Sequence, residues 1–388
     1  MRVAIVGSGL AGFTAFQTLR RGGLEPGEIA VFGTDADPAA AWRVRAAAIR
    51  QREMRSESAG HCRATSFPGL ALRGVRTRRS LRPLLETAVD RFHPTVEEFL
   101  GHVEELRERS RWDERVALVR VERVRAVDGG FELDGLELET SATKPPTPGA
   151  RSDRLRRSWG SFRHVLLAPG HPALNVPEEL RGDPRVVHAY EPHEYASTVT
   201  IVGAGLAAAT EWLNALAAGA EVVSVRRREP LRRPLNLPRP YFSRRGLAAF
   251  QRLSAPERVE RIRSLLAPSY PPGRQWDEPL ARAAAEGRFR TEAAVDGARQ
   301  IICATGFVRG WRRDPLLARL VADHGLATTD DWIELAADST VPALTDATRT
   351  LALAGAPAQW AFPGADTLMG ARYAAHGSLR RIRACRTR

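Results

Sequence analysis

Cysteine is scarce in this chain of 388 residues, and the few thiols stand far apart. They are Cys62, Cys303 and Cys385, with no CxxC pair and no metal-ligand spacing. A disulfide framework, a structural zinc site and a dithiol redox mechanism all need suitably spaced thiols. The sequence therefore argues against all three, and we expect each cysteine to be a plain thiol.

Long hydrophobic runs are also missing. No apolar segment approaches the ~18 residues of a membrane-spanning helix. At the N-terminus only four apolar residues separate Arg2 from Gly7, which is too short for the core of a signal peptide. We therefore expect a strand at this position, a cytoplasmic protein and no membrane partner.

Lysine is nearly absent, although the formal net charge is +13. Lys144 is the single lysine among 58 basic residues, and the arginines are scattered between acidic residues along the chain. This pattern indicates arginine use throughout the chain and not a selected basic patch. Nucleic-acid binding is therefore not favoured.

The most informative feature present is a glycine-rich turn that occurs twice. "VAIVGSGLAG" covers residues 3–12 and "VTIVGAGLAA" covers residues 199–208, each between an apolar strand pattern and a helical pattern. In G-x-G-x-x-G the first glycine makes the turn, the second admits a pyrophosphate and the third, or alanine, allows close packing. The helix N-terminus then attracts the phosphates. We predict two dinucleotide sites, formed by Gly7, Ser8, Gly9, Leu10, Ala11 and Gly12 and by Gly203, Ala204, Gly205 and Leu206.

The residues that follow the second strand of each unit distinguish the two nucleotides. After the second turn this position holds arginines, which pair with a 2′-phosphate and favour NADPH, namely Arg226, Arg227 and Arg228. A solvated run of charge is the alternative. After the first turn Gly33 replaces the expected acid, and Asp35 is the nearest carboxylate that can reach a ribose.

The chain also repeats a strand that ends in Ala-x-Gly. The first copy ends at 168–170 and the second consists of Ala304, Thr305 and Gly306, which we expect to mark a crossover near the cofactors through their backbone. The predicted fold is α/β with two Rossmann-like dinucleotide-binding domains. A first domain covers 1–170 and 300–388, and a second domain, 171–299, is inserted in it.

Several segments resemble the class B flavin-dependent monooxygenases, which include the flavin-containing and the N-hydroxylating enzymes. "DPAAAWR" resembles the flavin-side "GGxW" segment, "MRSESAGHCRATSFPGL" resembles the stretch that passes the flavin ring, and "ICATGF" resembles the ATG(F/Y) motif. The F-x-G-x-x-x-H fingerprint is not intact, because its nearest match has Leu180 in place of phenylalanine and five residues between Gly182 and His188.

The resemblance implies that FAD occupies the first domain and NADPH the second. It also implies that NADPH reduces the flavin and that oxygen then gives a flavin hydroperoxide, which oxygenates nitrogen, sulfur or a carbonyl carbon of a small molecule. It places further residues beside the flavin, namely Trp42, Arg43, Met54 and Arg55. Trp42 as a core residue with Arg43 on the surface is an equal alternative. His188, Asn236 and Trp276 each have a structural alternative to a place near the nicotinamide or substrate.

Three functions remain open at this point. The favoured one is an FAD- and NADPH-dependent oxidoreductase of the monooxygenase type, with a small-molecule substrate and molecular oxygen as partners. The second is an NADPH-dependent flavoprotein reductase or dehydrogenase without oxygen transfer, and the third is a non-catalytic dinucleotide-binding protein. Because the flavin carries the chemistry, the lack of an obvious acid–base pair does not count against an enzyme. The catalytic residues, the substrate and a homodimeric state are left open.

Overall fold

The computed structural model describes residues 3–54, 70–88, 92–138, 156–233, 237–295 and 297–386. Its strands, in chain order, are β1 (Val3–Val6), β2 (Ile29–Gly33), β3 (Val116–Val127), β4 (Gly130–Glu137), β5 (Arg156–Phe162), β6 (His164–Leu167), β7 (Val186–His188), β8 (Thr198–Val202), β9 (Glu221–Val225), β10 (Leu231–Arg232), β11 (Ser269–Tyr270), β12 (Phe289–Glu292), β13 (Ile301–Cys303), β14 (Thr328–Thr329), β15 (Trp332–Ile333) and β16 (Thr350–Leu353).

The described residues also form α-helices, which are numbered in chain order. They are α1 (Leu10–Arg21), α2 (Ala40–Ala48), α3 (Leu70–Arg78), α4 (Arg82–Ala88), α5 (Val96–Arg109), α6 (Leu206–Ala217), α7 (Arg244–Gln251), α8 (Ala255–Leu265), α9 (Arg274–Ala285), α10 (Pro315–His324) and α11 (Leu368–Arg386). None of the helices in the described part of the chain has the length and apolar character that crossing a membrane requires.

The first sheet has seven strands in the order β16-β6-β1-β2-β3-β4-β5. The five strands from β16 to β3 run parallel, and β3, β4 and β5 continue the sheet as an antiparallel meander. Strands β1, β6 and β16 are buried along their whole length, as expected of parallel strands covered on both faces. Strands β3 and β4 form a hairpin at "DGG", with Gly129 in the left-handed region at φ +68°.

The second sheet contains five parallel strands in the order β12-β9-β8-β13-β7. Helix α6 connects β8 to β9 and completes the second βαβ unit. The chain leaves the first sheet after β6 and returns to it only at β16, so the second sheet is inserted in the first, as the sequence predicted. Its strand β13 pairs with β8, so this sheet extends to Cys303, beyond the boundary that we placed at residue 299.

Helix α5 illustrates how local sequence signals fix element boundaries. Thr95 Oγ1 accepts a hydrogen bond from the Glu98 backbone N–H at 3.0 Å, and the Glu98 carboxylate accepts one from the Thr95 N–H at 3.0 Å. This reciprocal capping box starts the helix at Val96. The helix buries Phe99, Val103 and Leu106 against the core beside β1 and α1.

The two sheets are connected by the two crossovers, which are the chain segments after β6 and after β13, and also by α2. Ile49, which directly follows α2, is 5% exposed and packs into the core of the second sheet. Asn214 of α6 donates a hydrogen bond from Nδ2 to the Ile49 carbonyl at 2.8 Å. A helix that follows the first βαβ unit therefore contacts the second domain directly.

Candidate cofactor-binding sites

The first glycine turn has space for a ligand at one position only. A Cβ on Gly7, which has φ +115°, would lie 2.1 Å from the Ala168 carbonyl oxygen, and one on Gly12 would lie 1.8 Å from the Gly7 oxygen. A Cβ on Gly9 would meet no atom within 4 Å. The outer glycines thus bring strands and helix into contact, and the middle one borders open space, as a pyrophosphate site requires.

The remaining residues of this turn lie at the start of α1. Ser8 is buried, whereas Leu10 and Ala11 are half-buried in the first helical turn. The first helical hydrogen bond runs from the Phe13 N–H to the Gly9 carbonyl at 2.9 Å. The N–H groups before Phe13 therefore have no intrahelical acceptor and are available to an anion.

The second glycine turn repeats this arrangement. A Cβ on Gly203, at φ +141°, would lie 2.5 Å from the Ala304 carbonyl oxygen, and one on Gly205 would meet nothing within 4 Å. Ala208 is fully buried at the third position, Ala204 is buried beside it, and Leu206 is half-buried at the start of α6. Each turn therefore packs against the alanine of one Ala-x-Gly segment, which explains why the two features are duplicated together.

The loop after β2 presents Asp35 to solvent. Its Oδ1 accepts a hydrogen bond from the Asp37 N–H at 2.8 Å, and the side chain is exposed. Trp112 donates from Nε1 to the Ala36 carbonyl at 2.8 Å and so holds this loop to the core. Gly33 itself has no space for a side chain, because a Cβ there would lie 2.0 Å from Ser8 Oγ.

Two of the three arginines predicted to bind the 2′-phosphate differ in their surroundings. The Arg226 side chain is 16% exposed, lies 5.8 Å over the Trp212 ring and forms an ion pair with Glu229 at 2.9 Å. The Arg227 side chain is 86% exposed, and its ion pair with Glu179 at 3.1 Å lies at the surface. Arg227 is thus the more accessible of these two guanidinium groups, and Arg228 is exposed as well.

The residues predicted beside the flavin have protein partners. Trp42 packs edge-on against Phe99 with ring centroids 4.8 Å apart, and Arg43 is exposed in an ion pair with Asp37 at 3.1 Å. Met54 is half-buried, and its N–H donates to the Pro94 carbonyl at 2.9 Å. Arg55 lies outside the described residues, as does Asn236.

The Ala304–Gly306 segment joins the two crossovers. Thr305 donates from Oγ1 to the Asn175 carbonyl, and the Asn175 N–H donates to the Gly306 carbonyl at 2.9 Å. Gly306 has φ +76°. His188 also donates from Nε2 to the Gly306 carbonyl at 3.1 Å and accepts from the Tyr190 N–H at Nδ1, so both of its ring nitrogens have backbone partners. These contacts favour the structural alternative for His188.

Trp276 also packs with the protein. Its ring lies 5.9 Å from that of Tyr270, edge-on, and both belong to the apolar cluster of the second domain. The contact supports the structural alternative for this tryptophan.

One contributor to the first turn was missed in the sequence. Gly355 follows β16 with φ +72°, and a Cβ on it would lie 3.4 Å from that of Ala11. The C-terminal part of the chain thus returns to the first glycine turn. A third strand ending in small residues, "LALAG", was the available signal.

The comparisons with solved structures find the same architecture elsewhere. The ornithine hydroxylase of Pseudomonas aeruginosa is 16% identical with a TM-score of 0.70, and the match covers 98% of this chain and 99% of that one. The chain therefore has the fold of a two-domain flavin-dependent monooxygenase. The FAD-bound cadaverine monooxygenase of Erwinia amylovora is 13% identical, with a TM-score of 0.70 and coverage of 98% and 94%.

The same fold also occurs in a reductase. The bacillithiol disulfide reductase of Bacillus cereus is 14% identical, with a TM-score of 0.60 and coverage of 99% of both chains. No protein-family model matches this sequence, and no curated protein matches it. At these identities the likeness establishes the fold and leaves the chemistry to be argued from the residues.

Proposed function

We propose that this protein is an FAD- and NADPH-dependent oxidoreductase that acts as a monooxygenase on a small-molecule substrate. The observation that carries the proposal is the pair of matching glycine turns around Gly9 and Gly205, the two cradles. In each of them the position of a Cβ is open, and the turn lies at a helix N-terminus. One nucleotide per turn gives a hydride donor and an acceptor in a single chain. The monooxygenase structures with this fold support the reaction type.

The first cradle suits FAD. The Gly9 backbone and the N–H groups at the start of α1 would hold its pyrophosphate, and the exposed carboxylate of Asp35 would accept from a ribose hydroxyl. Gly355 has no side chain, so the loop after β16 lies close to Ala11 in the same turn. In this proposal the first domain, 1–170 and 300–388, binds FAD.

The second cradle suits NADPH, which would occupy the inserted domain. The Gly205 backbone and the start of α6 would hold the pyrophosphate, and Arg227 would pair with the 2′-phosphate. Bound FAD would take a hydride from NADPH and activate molecular oxygen, and the protein's part is to position both nucleotides and the substrate and to limit water.

The alternative is an NADPH-dependent flavoprotein reductase, which the bacillithiol disulfide reductase fold keeps open. A reductase that works through a pair of thiols finds little support in the cysteines that the structure describes. Cys303 is fully buried, and burial raises its pKa to about 11, so it is a poor nucleophile. The second described thiol, Cys385, lies at the end of α11, where Sγ donates to the Ala347 carbonyl at 2.9 Å.

The test begins with the absorption spectrum of the purified protein after incubation with FAD and again after anaerobic addition of NADPH. We expect a bound flavin that NADPH bleaches. A protein that takes up no FAD contradicts both enzyme functions. Admission of isotope-labelled oxygen with candidate amines and thioethers should then give a product carrying one labelled oxygen atom. Release of hydrogen peroxide alone with every candidate would favour the reductase.

The substrate class is not given by the fold. One solved relative is an ornithine hydroxylase, and ornithine is an amino acid with a carboxylate. Another is a cadaverine monooxygenase, and cadaverine is a diamine without a carboxylate. Residues of this chain must therefore decide whether an acidic group on the substrate is recognised.

A further inference from the structure

Aromatic rings from both crossovers stack where the two domains meet. The rings of His171 and Phe307 lie 4.6 Å apart with an interplanar angle of 8°, and the Tyr190 ring lies 5.0 Å from Phe307 at 11°. His171 follows the Ala-x-Gly segment that packs on the first glycine turn, and Phe307 follows the one that packs on the second. The stack therefore joins the two chain segments that pack on the two glycine turns.

Arg45 extends from α2 to this stack. Its guanidinium carbon lies 4.9 Å from the Phe307 ring centroid, and the side chain is half-buried. Its neighbours on the same segment behave differently. Arg43 and Arg50 have side chains 47% and 43% exposed and pair with Asp37 and Glu194. In the described part of the chain, no carboxylate forms an ion pair with Arg45.

The other groups around the stack supply no negative charge for Arg45. Burial lowers the pKa of His171 to about 4, so its ring is neutral near neutral pH, and its Nδ1 is buried without a hydrogen bond. Burial raises the pKa of the Tyr190 phenol, which stays protonated. The nearby carboxylate of Asp366 is held by Arg309 at 3.2 Å.

Burial without a counter-charge is costly for a guanidinium. Burial lowers the pKa of Arg45, the opposite of what a carboxylate partner does for Arg78 or Arg107. An anion that binds beside the Arg45 guanidinium would restore the missing charge, and the guanidinium would bind a carboxylate through two parallel hydrogen bonds. The aromatic ring below keeps the guanidinium in place.

We propose that Arg45 recognises a carboxylate on the substrate. It would thereby determine specificity for amines that carry a carboxylate over the corresponding amines that lack it. The inference rests on the proposed function, because it assumes that the substrate lies between the two nucleotides. Arg45 fits this role by its place beside Phe307, by its partial burial and by the lack of an ion-pair partner among the described residues.

The test uses the FAD-loaded protein with NADP⁺ and two pairs of probes that differ only by a carboxylate. These are L-lysine with cadaverine and L-ornithine with putrescine, titrated by calorimetry so that no turnover is needed. The wild-type protein should bind the amino acid of at least one pair about tenfold or more tighter than its diamine. Arg45→Met should remove this preference and leave diamine binding unchanged, whereas Arg45→Lys should keep part of it.

Arg52→Met is the matched control, because it removes an exposed arginine from the same segment and should preserve the preference. FAD content and the unfolding temperature verify that each variant is folded. The proposal is overturned if the wild-type protein shows no preference or binds neither member of either pair. It is also overturned if Arg45→Met keeps the preference for the amino acid, or if it weakens NADP⁺ binding instead. Failure of NADPH to bleach the flavin is a separate result that concerns only the proposed function.

Discussion

Gly33 lies directly against Ser8, at the place where an acid is expected after the second strand of a dinucleotide fold. A Cβ on Gly33 would lie 2.0 Å from Ser8 Oγ, 2.3 Å from Ser8 Cβ and 2.8 Å from the Ser8 backbone nitrogen. The serine that follows the first glycine of the turn therefore fills the space of the missing side chain. An acidic side chain at position 33 and the Ser8 side chain would occupy the same space. Asp35 is therefore the nearest exposed carboxylate along the chain.

Gly33→Ala should therefore destabilise the first domain by about 1–3 kcal/mol, the usual cost of overpacking a core. Ser8→Gly should relieve only part of this loss in the double variant, because the Ser8 backbone nitrogen remains close. Urea denaturation of the two single variants and the double variant measures the coupling. Strictly additive losses would show that the two residues do not interact.

The three glycines of the first turn should respond differently to alanine. Gly12→Ala places a Cβ 1.8 Å from the Gly7 carbonyl oxygen and should reduce the free energy of unfolding strongly. Gly9→Ala meets no protein atom and should leave stability nearly unchanged while it weakens FAD binding. Thermal unfolding of the apoprotein and fluorescence titration with FAD separate the two effects. Gly205→Ala is the matched control, since it should weaken NADPH and leave FAD binding intact.

Arg227→Ala should weaken NADPH binding by about tenfold or more, because a charge-assisted contact with the phosphate is lost, and it should have little effect on NADH binding. Arg226→Ala should also reduce stability, because its side chain is mostly buried over Trp212. Anaerobic flavin reduction with each nucleotide, in both variants, provides the comparison. Equal losses for NADPH and NADH in Arg227→Ala would refute the role in 2′-phosphate binding.

A buried charge pair should make the second domain sensitive to pH. Glu211 is fully buried and accepts from His193 Nε2 at 3.0 Å and from the Tyr195 hydroxyl at 2.9 Å. Burial lowers the pKa of His193, but the hydrogen bonds to the Glu211 carboxylate and the Glu191 carbonyl outweigh it, so the pKa lies above its ordinary 6.5.

Because the folded state raises this pKa, the protonated imidazole stabilises the fold fully below 6.5, and the contribution is lost as pH rises through the raised value. The wild-type advantage in free energy of unfolding over His193→Gln should therefore shrink from about pH 6 to about pH 8. Urea denaturation at both pH values measures it. The same comparison in a Glu211→Gln background should show almost no pH dependence, and an advantage that grows with pH would contradict the ion pair.

The α/β architecture and the two glycine turns can be predicted from the sequence alone. Apolar strands followed by glycine turns and helical patterns are local signals, and the insertion of one sheet in the other follows from their order and repetition. The threonine cap at Thr95 and the hairpin at "DGG" are local for the same reason, because backbone preferences over a few residues decide them.

The contacts between segments that are distant along the chain follow from tertiary packing. The distances from Gly33 to Ser8 and from Gly355 to Ala11 join segments distant in the sequence, as do the contacts of Trp42 with Phe99 and of Arg45 with Phe307. Strand β13 belongs to the second sheet through its pairing with β8, which no local pattern specifies. Side-chain partners depend on how strands and helices pack, and periodicity along one segment does not contain that information.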